Sequence, residues 1–278
     1  MKKILFAATA ALGLTALPVI GQATPEQDRK EFVNFFQDRF PNVPMQEFAN
    51  GVNAIDEQRR QQWIQSEEFP PYEFAVDEGR SMWENTTFPN GKTYADCFDE
   101  PVDNIRTQYP YFDTDRGEVI TLELAINECR TSNGAEPLGW KKGDIAKISG
   151  FLGYEARGKE IDVEVPNDEA QAWYERGKNH FYAKRGQLNM ACADCHQYYS
   201  GQKARANVLS PALGHTTHFP VHRKKWGGLG TLHRRYGGCN RNIRAKPLPA
   251  QSEEYRALEY FEAYMSNGLE INAPGGRE

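Results

Sequence analysis

Five consecutive residues carry the most specific chemistry in the sequence: Cys192-Ala193-Asp194-Cys195-His196. Two thiols two residues apart, followed at once by an imidazole, form the pattern that attaches a haem covalently. The thiols add to the haem vinyl groups, and the adjacent histidine is placed under the iron as proximal ligand. A thioredoxin-type C-x-x-C follows a strand, whereas residues 169–182 lead in with helical periodicity. A zinc site would draw on a second C-x-x-C, and the sequence has none. The motif therefore predicts a c-type haem on Cys192 and Cys195, with His196 on the iron.

The other three cysteines are organised by an internal repeat. A shift of 98 residues lays Tyr94-Ala95-Asp96-Cys97-Phe98 on the motif and Gly79-Arg80 on Gly177-Lys178. A shift of 110 lays Cys129 on Cys239, Pro137-Leu138 on Pro247-Leu248, and Gly158, Glu160 and Ile161 on Gly268, Glu270 and Ile271. The difference of 12 is one insertion between the haem motif and Cys239, and His215, His218 and His222 are assigned to it. In the first copy Tyr94 and Phe98 stand where a thioether cysteine and the proximal histidine would be. Neither side chain can do that work, so one haem per chain is expected. Cys97 and Cys129, left in a haem-free unit, are expected to pair as a disulfide, worth roughly 3 kcal/mol on loop-closure reasoning. Cys239 is then the leftover thiol.

Residues 197–252 contain no Asp or Glu but carry ten cations, among them Arg223, Lys224, Lys225, Arg234, Arg235 and Arg241. In a chain of formal charge −5 this is a sharp asymmetry. It surrounds Arg235-Tyr236-Gly237-Gly238-Cys239-Asn240. Nearby cations favour thiolate, which is both an iron ligand and a nucleophile, and they attract a small anion. Some of these cations can serve only to neutralise haem propionates, and others can form a docking face for an acidic redox partner. Met190, Met265, His180, His215, His218, His222 and His233 are the other candidate sixth ligands. Cys239 is favoured because its repeat mate Cys129 lies where the distal ligand of the lost haem would lie.

The elements that must position these residues are mostly helical. Residues 26–39, 144–154 and 253–265 have apolar residues at helical spacing, residues 50–66 are helical or mixed, and residues 118–124 can pair briefly as a strand. Residues 157–166 form a linker. Lys2, Lys3 and the apolar run over residues 4–20 read as a secretory signal peptide ending at Ala23. Its removal takes the charge from −5 to −7, which does not suit a general nucleic-acid binder. No later segment is apolar enough to span a membrane. The expectation is a mainly α protein in the periplasm. Residues 24–160 would form an N-terminal cytochrome c-like domain without haem, and residues 161–278 a second with haem.

The chain resembles the SoxA subunits of SoxAX thiosulfate-oxidising cytochrome complexes over nearly all of its length after residue 23. The resemblance rests on Tyr109-Pro110-Tyr111-Phe112-Asp113-Thr114-Asp115-Arg116-Gly117-Glu118, on residues 123–130, on the haem motif, and above all on residues 235–240. It implies an L-cysteine S-thiosulfotransferase: with a SoxX-type small cytochrome subunit, such a chain joins thiosulfate to a cysteine of a SoxYZ-type carrier and passes electrons to cytochrome c. Under that resemblance Cys239 is the axial ligand and persulfide-forming residue, Arg235 binds the anionic substrate, and the single haem marks the one-haem type. Two rivals stay open: an electron-transfer cytochrome in which Cys239 only tunes potential, and a thiosulfate dehydrogenase that forms tetrathionate without a carrier.

Overall fold

The computed structural model describes residues 23–277, so the leader expected at residues 1–23 lies, Ala23 apart, outside the described residues. Helix α1 (Pro25–Arg39) opens on a capping box: the Thr24 hydroxyl accepts from the Gln27 N–H, and the Gln27 side chain accepts from the Thr24 N–H. Two short helices follow, α2 (Val52–Ile55) and α3 (Glu57–Ser66). The next elements are α4 (Glu73–Asn85), α5 (Val102–Ile105), β1 (Tyr111–Asp113), β2 (Glu118–Ile120), α6 (Leu122–Ser132) and α7 (Asp144–Glu155). The second half holds α8 (Asp168–Tyr182), β3 (Lys203–Ala204), β4 (Asn207–Val208), β5 (Val221–Arg223), β6 (Gly228–Gly230), α9 (Leu232–Asn242), α10 (Glu253–Met265) and β7 (Gly275–Arg277). Strands are short: β1 pairs with β2, β3 with β4, and β5 lies between antiparallel β6 and parallel β7.

In each half the first long helix crosses the closing helix at a glycine. A Cβ on Gly79 would lie 2.1 Å from the carbonyl oxygen of Lys147 in α7. A Cβ on Gly177 would lie 2.0 Å from the carbonyl oxygen of Ala257 in α10. Only a residue without a side chain lets the two backbones approach this closely. The elements β1, β2 and α6 sit 110 positions before β5, β6 and α9. That offset already holds at Pro101 and Pro211. The extra residues of the second half therefore form the exposed β3–β4 hairpin, and His215, His218 and His222 lie beyond the insertion rather than in it. A hairpin closed on itself can be added at the surface without moving the packed chain on either side.

The halves meet along an antiparallel crossing made of matched bonds. Gly158 N–H donates to Ile271 O (3.0 Å) and Gly268 N–H to Ile161 O (2.9 Å). Ile161 N–H donates to Leu269 O (2.9 Å) and Ile271 N–H to Lys159 O (2.7 Å). Two hydrophobic clusters flank this crossing. Tyr72, Trp83, Tyr94, Ile126 and Phe151 lie in the first, and Tyr174, Phe181, Tyr255 and Phe261 in the second. Phe32, Phe36 and Phe48 also belong to the second cluster. The packing thus allots α1 and the turn at residue 48 to the far half, although they precede the first half in sequence. Each buried phenylalanine contributes about 1.5–3 kcal/mol, which is enough to hold this extension across the junction.

Helix α10 is buried on almost every side because α8, α1, α9 and β2 all pack on it. Two of its four carboxylates are consequently inside. Glu259 and Glu262 are buried, and Arg256, at its start, donates to Glu118 (2.7 Å) and to Val119 O (2.8 Å) in the other half.

The glycine crossings give a direct stability test. Gly177→Ala forces carbonyl and Cβ apart in a region with no slack, and overpacking of this kind costs about 3 kcal/mol or more. Denaturant melts should show that loss for Gly177→Ala. Glycine at 158, whose added Cβ meets nothing within 4 Å, should show only the cost of its positive φ when replaced by Ala.

Candidate haem and sulfur site

The haem-motif loop is seated by its own backbone and by the chain that follows the hairpin. Ala191 N–H donates to Asp194 Oδ2 (2.7 Å), which starts the turn that carries Asp194–Tyr198. The Ala212 N–H donates to His196 O (2.8 Å), and the His196 Nδ1–H points at Ser210 O (3.0 Å). A carbonyl on Nδ1 fixes the tautomer and leaves Nε2 free to bind a metal.

Opposite this loop stands α9. Thr231 caps it, and Arg235 and Cys239 lie one turn apart on one face. The Cys239 thiol faces His196 closely enough for the imidazole to act on its ionisation. The electrostatics around the three free thiols differ. Burial pushes Cys192 up to about 12 and also raises Cys195. Burial pushes Cys239 up as well, but the Arg235 guanidinium and the bond and charge of His196 outweigh it and bring the thiol down to about 7. Of the three, only Cys239 is poised as thiolate near neutral pH.

The donor set fits a c-type haem. Two thiols and an imidazole share one loop, and an ionisable sulfur meets that imidazole from a facing helix. Four of the remaining candidate ligands are engaged elsewhere. Met265 is buried in the hydrophobic core, and His218 packs by Gly51. The His233 ring faces Glu259 (3.1 Å), and its Nδ1 accepts from the Gln251 N–H (3.0 Å). His215 touches His196, but on the Nδ1 side: its Nε2 meets Ser210 Oγ (3.3 Å), and its Nδ1 bonds Glu262 (3.1 Å).

The cations of residues 197–252 do not all converge. Lys203 and Arg205 stand on the exposed β3–β4 hairpin. Arg223 and Arg234 lie over the Trp226 ring at 5.6 and 4.2 Å. Arg235 is the one whose charge reaches Cys239 most strongly. Two residues missed in the sequence support the site. Arg185 donates to Cys192 Sγ (3.0 Å) and to Asn240 Oδ1 (3.0 Å), joining the haem loop to α9. Glu262 accepts from the Tyr236 hydroxyl (2.5 Å) and bonds His215, joining α9 to the loop that orients His196. Nothing local marks Arg185. A carboxylate on the buried face of a helix was the available signal for Glu262.

In the first half the corresponding space is packed shut. Cys97 and Cys129 are joined in a disulfide. Tyr94 is fully buried, takes a bond from Arg130 (2.8 Å), and stacks on Trp83 with ring centroids 5.5 Å apart. Phe98 lies against the same Trp83 at 5.4 Å.

Comparison with known proteins identifies the family. Residues 78–161 match the family described as SoxA/TsdA, cytochrome c domain. The L-cysteine S-thiosulfotransferase subunit SoxA of Chlorobaculum tepidum is 54% identical over 92% of this chain and 89% of its own. That of Allochromatium vinosum is 52% identical over 98% and 97%. The chain belongs to the SoxA family. Its fold is mostly helical and cytochrome c-like, and it matches the crystal structure of SoxXA from P. pantotrophus with a TM-score of 0.69 at 31% identity, over 75% of this chain and 79% of that one. A c-type haem is the cofactor that this family's cytochrome domain implies. Among the described residues no helix is long and apolar enough to cross a membrane.

The electrostatics predict a pH signature. Removing Arg235 removes the largest influence that lowers the Cys239 pKa, so the thiol becomes harder to ionise. An optical titration of the ferric protein should show its acid transition at a higher pH in Arg235→Ala than in wild type. A transition at the wild-type pH would show that Arg235 does not act on the sulfur.

Proposed function

We propose that this chain is the catalytic cytochrome subunit of a periplasmic thiosulfate-oxidising complex, an L-cysteine S-thiosulfotransferase with one haem on Cys192, Cys195 and His196. The observation that carries the reading is the Cys239 thiol, tuned toward thiolate by Arg235 and held against His196. In net terms, a carrier thiolate and thiosulfate form a cysteine S-thiosulfonate, R–S⁻ + ⁻S–SO₃⁻ → R–S–S–SO₃⁻, with two electrons released to a cytochrome c acceptor. Arg235 holds the sulfonate oxygens by charge-assisted bonds. Cys239, as thiolate or as the persulfide it carries, forms a new S–S bond to the outer sulfur of thiosulfate as the two electrons leave to the cytochrome c acceptor. The carrier thiolate then attacks that outer sulfur, and the Cys239 side leaves as thiolate, which restores the site. The haem, when bound, supplies an electron exit beside the sulfur. Arg185, Glu262 and Ser210 hold the loop and the helix in register.

The two halves are read as an internal repeat that has kept its haem only in the second copy, with the sequence divided near residue 160. The matched crossing glycines, the reciprocal bonds at the junction and the constant offset of 110 support this. So does the position of the cytochrome c domain match, on the half that has Tyr94 and Phe98 in place of haem-binding residues. The partners that follow are a SoxX-type small cytochrome subunit and a SoxYZ-type carrier.

The test is thiosulfate conjugation to the carrier, followed by electron release to cytochrome c and, separately, to a small chemical oxidant. Cys239→Ala should lose about three orders of magnitude or more. Arg235→Ala should lose roughly a hundredfold with its covalent haem retained, and Arg235→Lys should recover part, since it restores charge but not the guanidinium fork. A plain electron carrier would show a defect that disappears with the small oxidant. A tetrathionate-forming enzyme would turn over thiosulfate without the carrier. Wild-type conjugation rates in both variants would end the proposal.

A further inference from the structure

Helix α9 carries Arg235 and Cys239, and its first turn is held from the other half of the chain. The Thr231 hydroxyl accepts from the Arg234 N–H (3.4 Å), which caps the helix. The same hydroxyl donates to Trp140 O (2.9 Å), and the Thr231 N–H donates to Lys141 O (3.2 Å). Lys142 forms an antiparallel bridge with Gly230. Trp140, Lys141 and Lys142 all lie in the connection between α6 and α7, in the half without the haem motif. Thr231 is only 2% exposed, so water does not compete for these bonds. A hydroxyl has one proton to give. Giving it to Trp140 directs a lone pair at the cap, so one side chain serves both contacts.

The arrangement is built twice. Thr121, 110 positions earlier, caps α6 through the Leu124 N–H (3.2 Å) and donates to Gln251 Oε1 (2.9 Å). Gln251 stands 110 positions after Lys141. Each half therefore grips the cap threonine of the other half's cysteine-bearing helix. Only one of those helices bears a reactive sulfur. Thr231, Arg235 and Cys239 are spaced four residues apart and share a face, and the Arg235 N–H donates to Thr231 O (3.3 Å). A helix is stiff over this length, roughly 12 Å from Thr231 to Cys239. A shift or rotation of the first turn is thus delivered to both residues.

We propose that Thr231 is a positioning residue, through which the half without a haem motif sets the seat of α9 and so the placement of Cys239 and Arg235 against His196. The proposal deepens the reading of Cys239 given above and rests on it. It also gives the haem-free half a task in the reaction, that of a fixed bracket for the sulfur-bearing helix.

The test uses full-length holoprotein. Thr231→Val removes donor and cap at nearly constant shape. Thr231→Asp keeps a cap acceptor but loses the donor to Trp140, and covers the case in which the Val variant fails to accumulate. Thr231→Ser keeps both bonds. Asn167→Ala removes the cap of α8, where Asn167 accepts from the Ala170 N–H (2.8 Å), and serves as a control for lost stability. Covalent haem by mass, unfolding midpoint, ferric EPR g-values and kcat/KM are measured for each. Thr231→Val and Thr231→Asp should keep the haem, shift the g-values and lose about tenfold or more in kcat/KM. Thr231→Ser should match wild type, and Asn167→Ala should lose stability without a shift in g. Wild-type g-values and kcat/KM in the Val and Asp variants overturn the proposal, as does an equal g-shift in Asn167→Ala. Cys239→Ala, run alongside, separates the claims. If it leaves the g-values unchanged, the ligand reading falls and the proposal with it. If it changes them while the Thr231 variants do not, positioning alone is overturned.

Discussion

The contact between the Cys239 sulfur and the His196 ring is the constraint around which the second half is built. Two groups on separate elements must be brought face to face, and neither element fixes the other by itself. The haem loop is seated by Ser210 and Ala212, α9 by its cap at Thr231, and the two are tied by Arg185 on one side and by the Tyr236–Glu262–His215 chain on the other. A buried carboxylate such as Glu262 is costly to desolvate unless its oxygens are used, and here both are. The closing helix α10 therefore does more than fill the core, since it carries the group that binds loop to helix.

The two halves solve one packing problem in different ways. In both, a glycine lets the first long helix press on the closing helix, and in both a cap threonine is gripped by the other half. Where the second half has two thiols and a histidine, the first has Tyr94, Phe98 and Trp83 stacked into a solid core, with the Cys97–Cys129 disulfide across it. Large buried rings of this kind contribute strongly to stability. A rigid half of this kind is suited to hold a helix still for its neighbour.

Much of this was legible in the sequence because it is written in local patterns. The haem motif is five contiguous residues, the closing helices show helical spacing, and the offset of 110 aligns Cys129 with Cys239 without any structural knowledge. The residues that escaped notice act through distance. Arg185 is an ordinary surface-type residue until the fold brings Cys192 and Asn240 to it. The aromatic residues of α1 predict a buried face but not which half they will cover. The place of the insertion is not legible at residues 215–222, because only the strands show that the chain adds a short polar hairpin between the motif and Ser210. Local chemistry identifies the reacting groups, and only tertiary contact identifies what holds them.

The account turns on Cys239 being the residue that takes sulfur from thiosulfate. The most direct measurement is the peptide mass of the purified holoprotein before and after incubation with thiosulfate and an electron acceptor, in the absence of carrier. One haem should be found, on the peptide of Cys192 and Cys195. Added sulfur should be found on Cys239 and should be lost again when the carrier is supplied. A Cys239 that stays unmodified throughout, in protein that conjugates thiosulfate to the carrier at the full rate, would contradict the account.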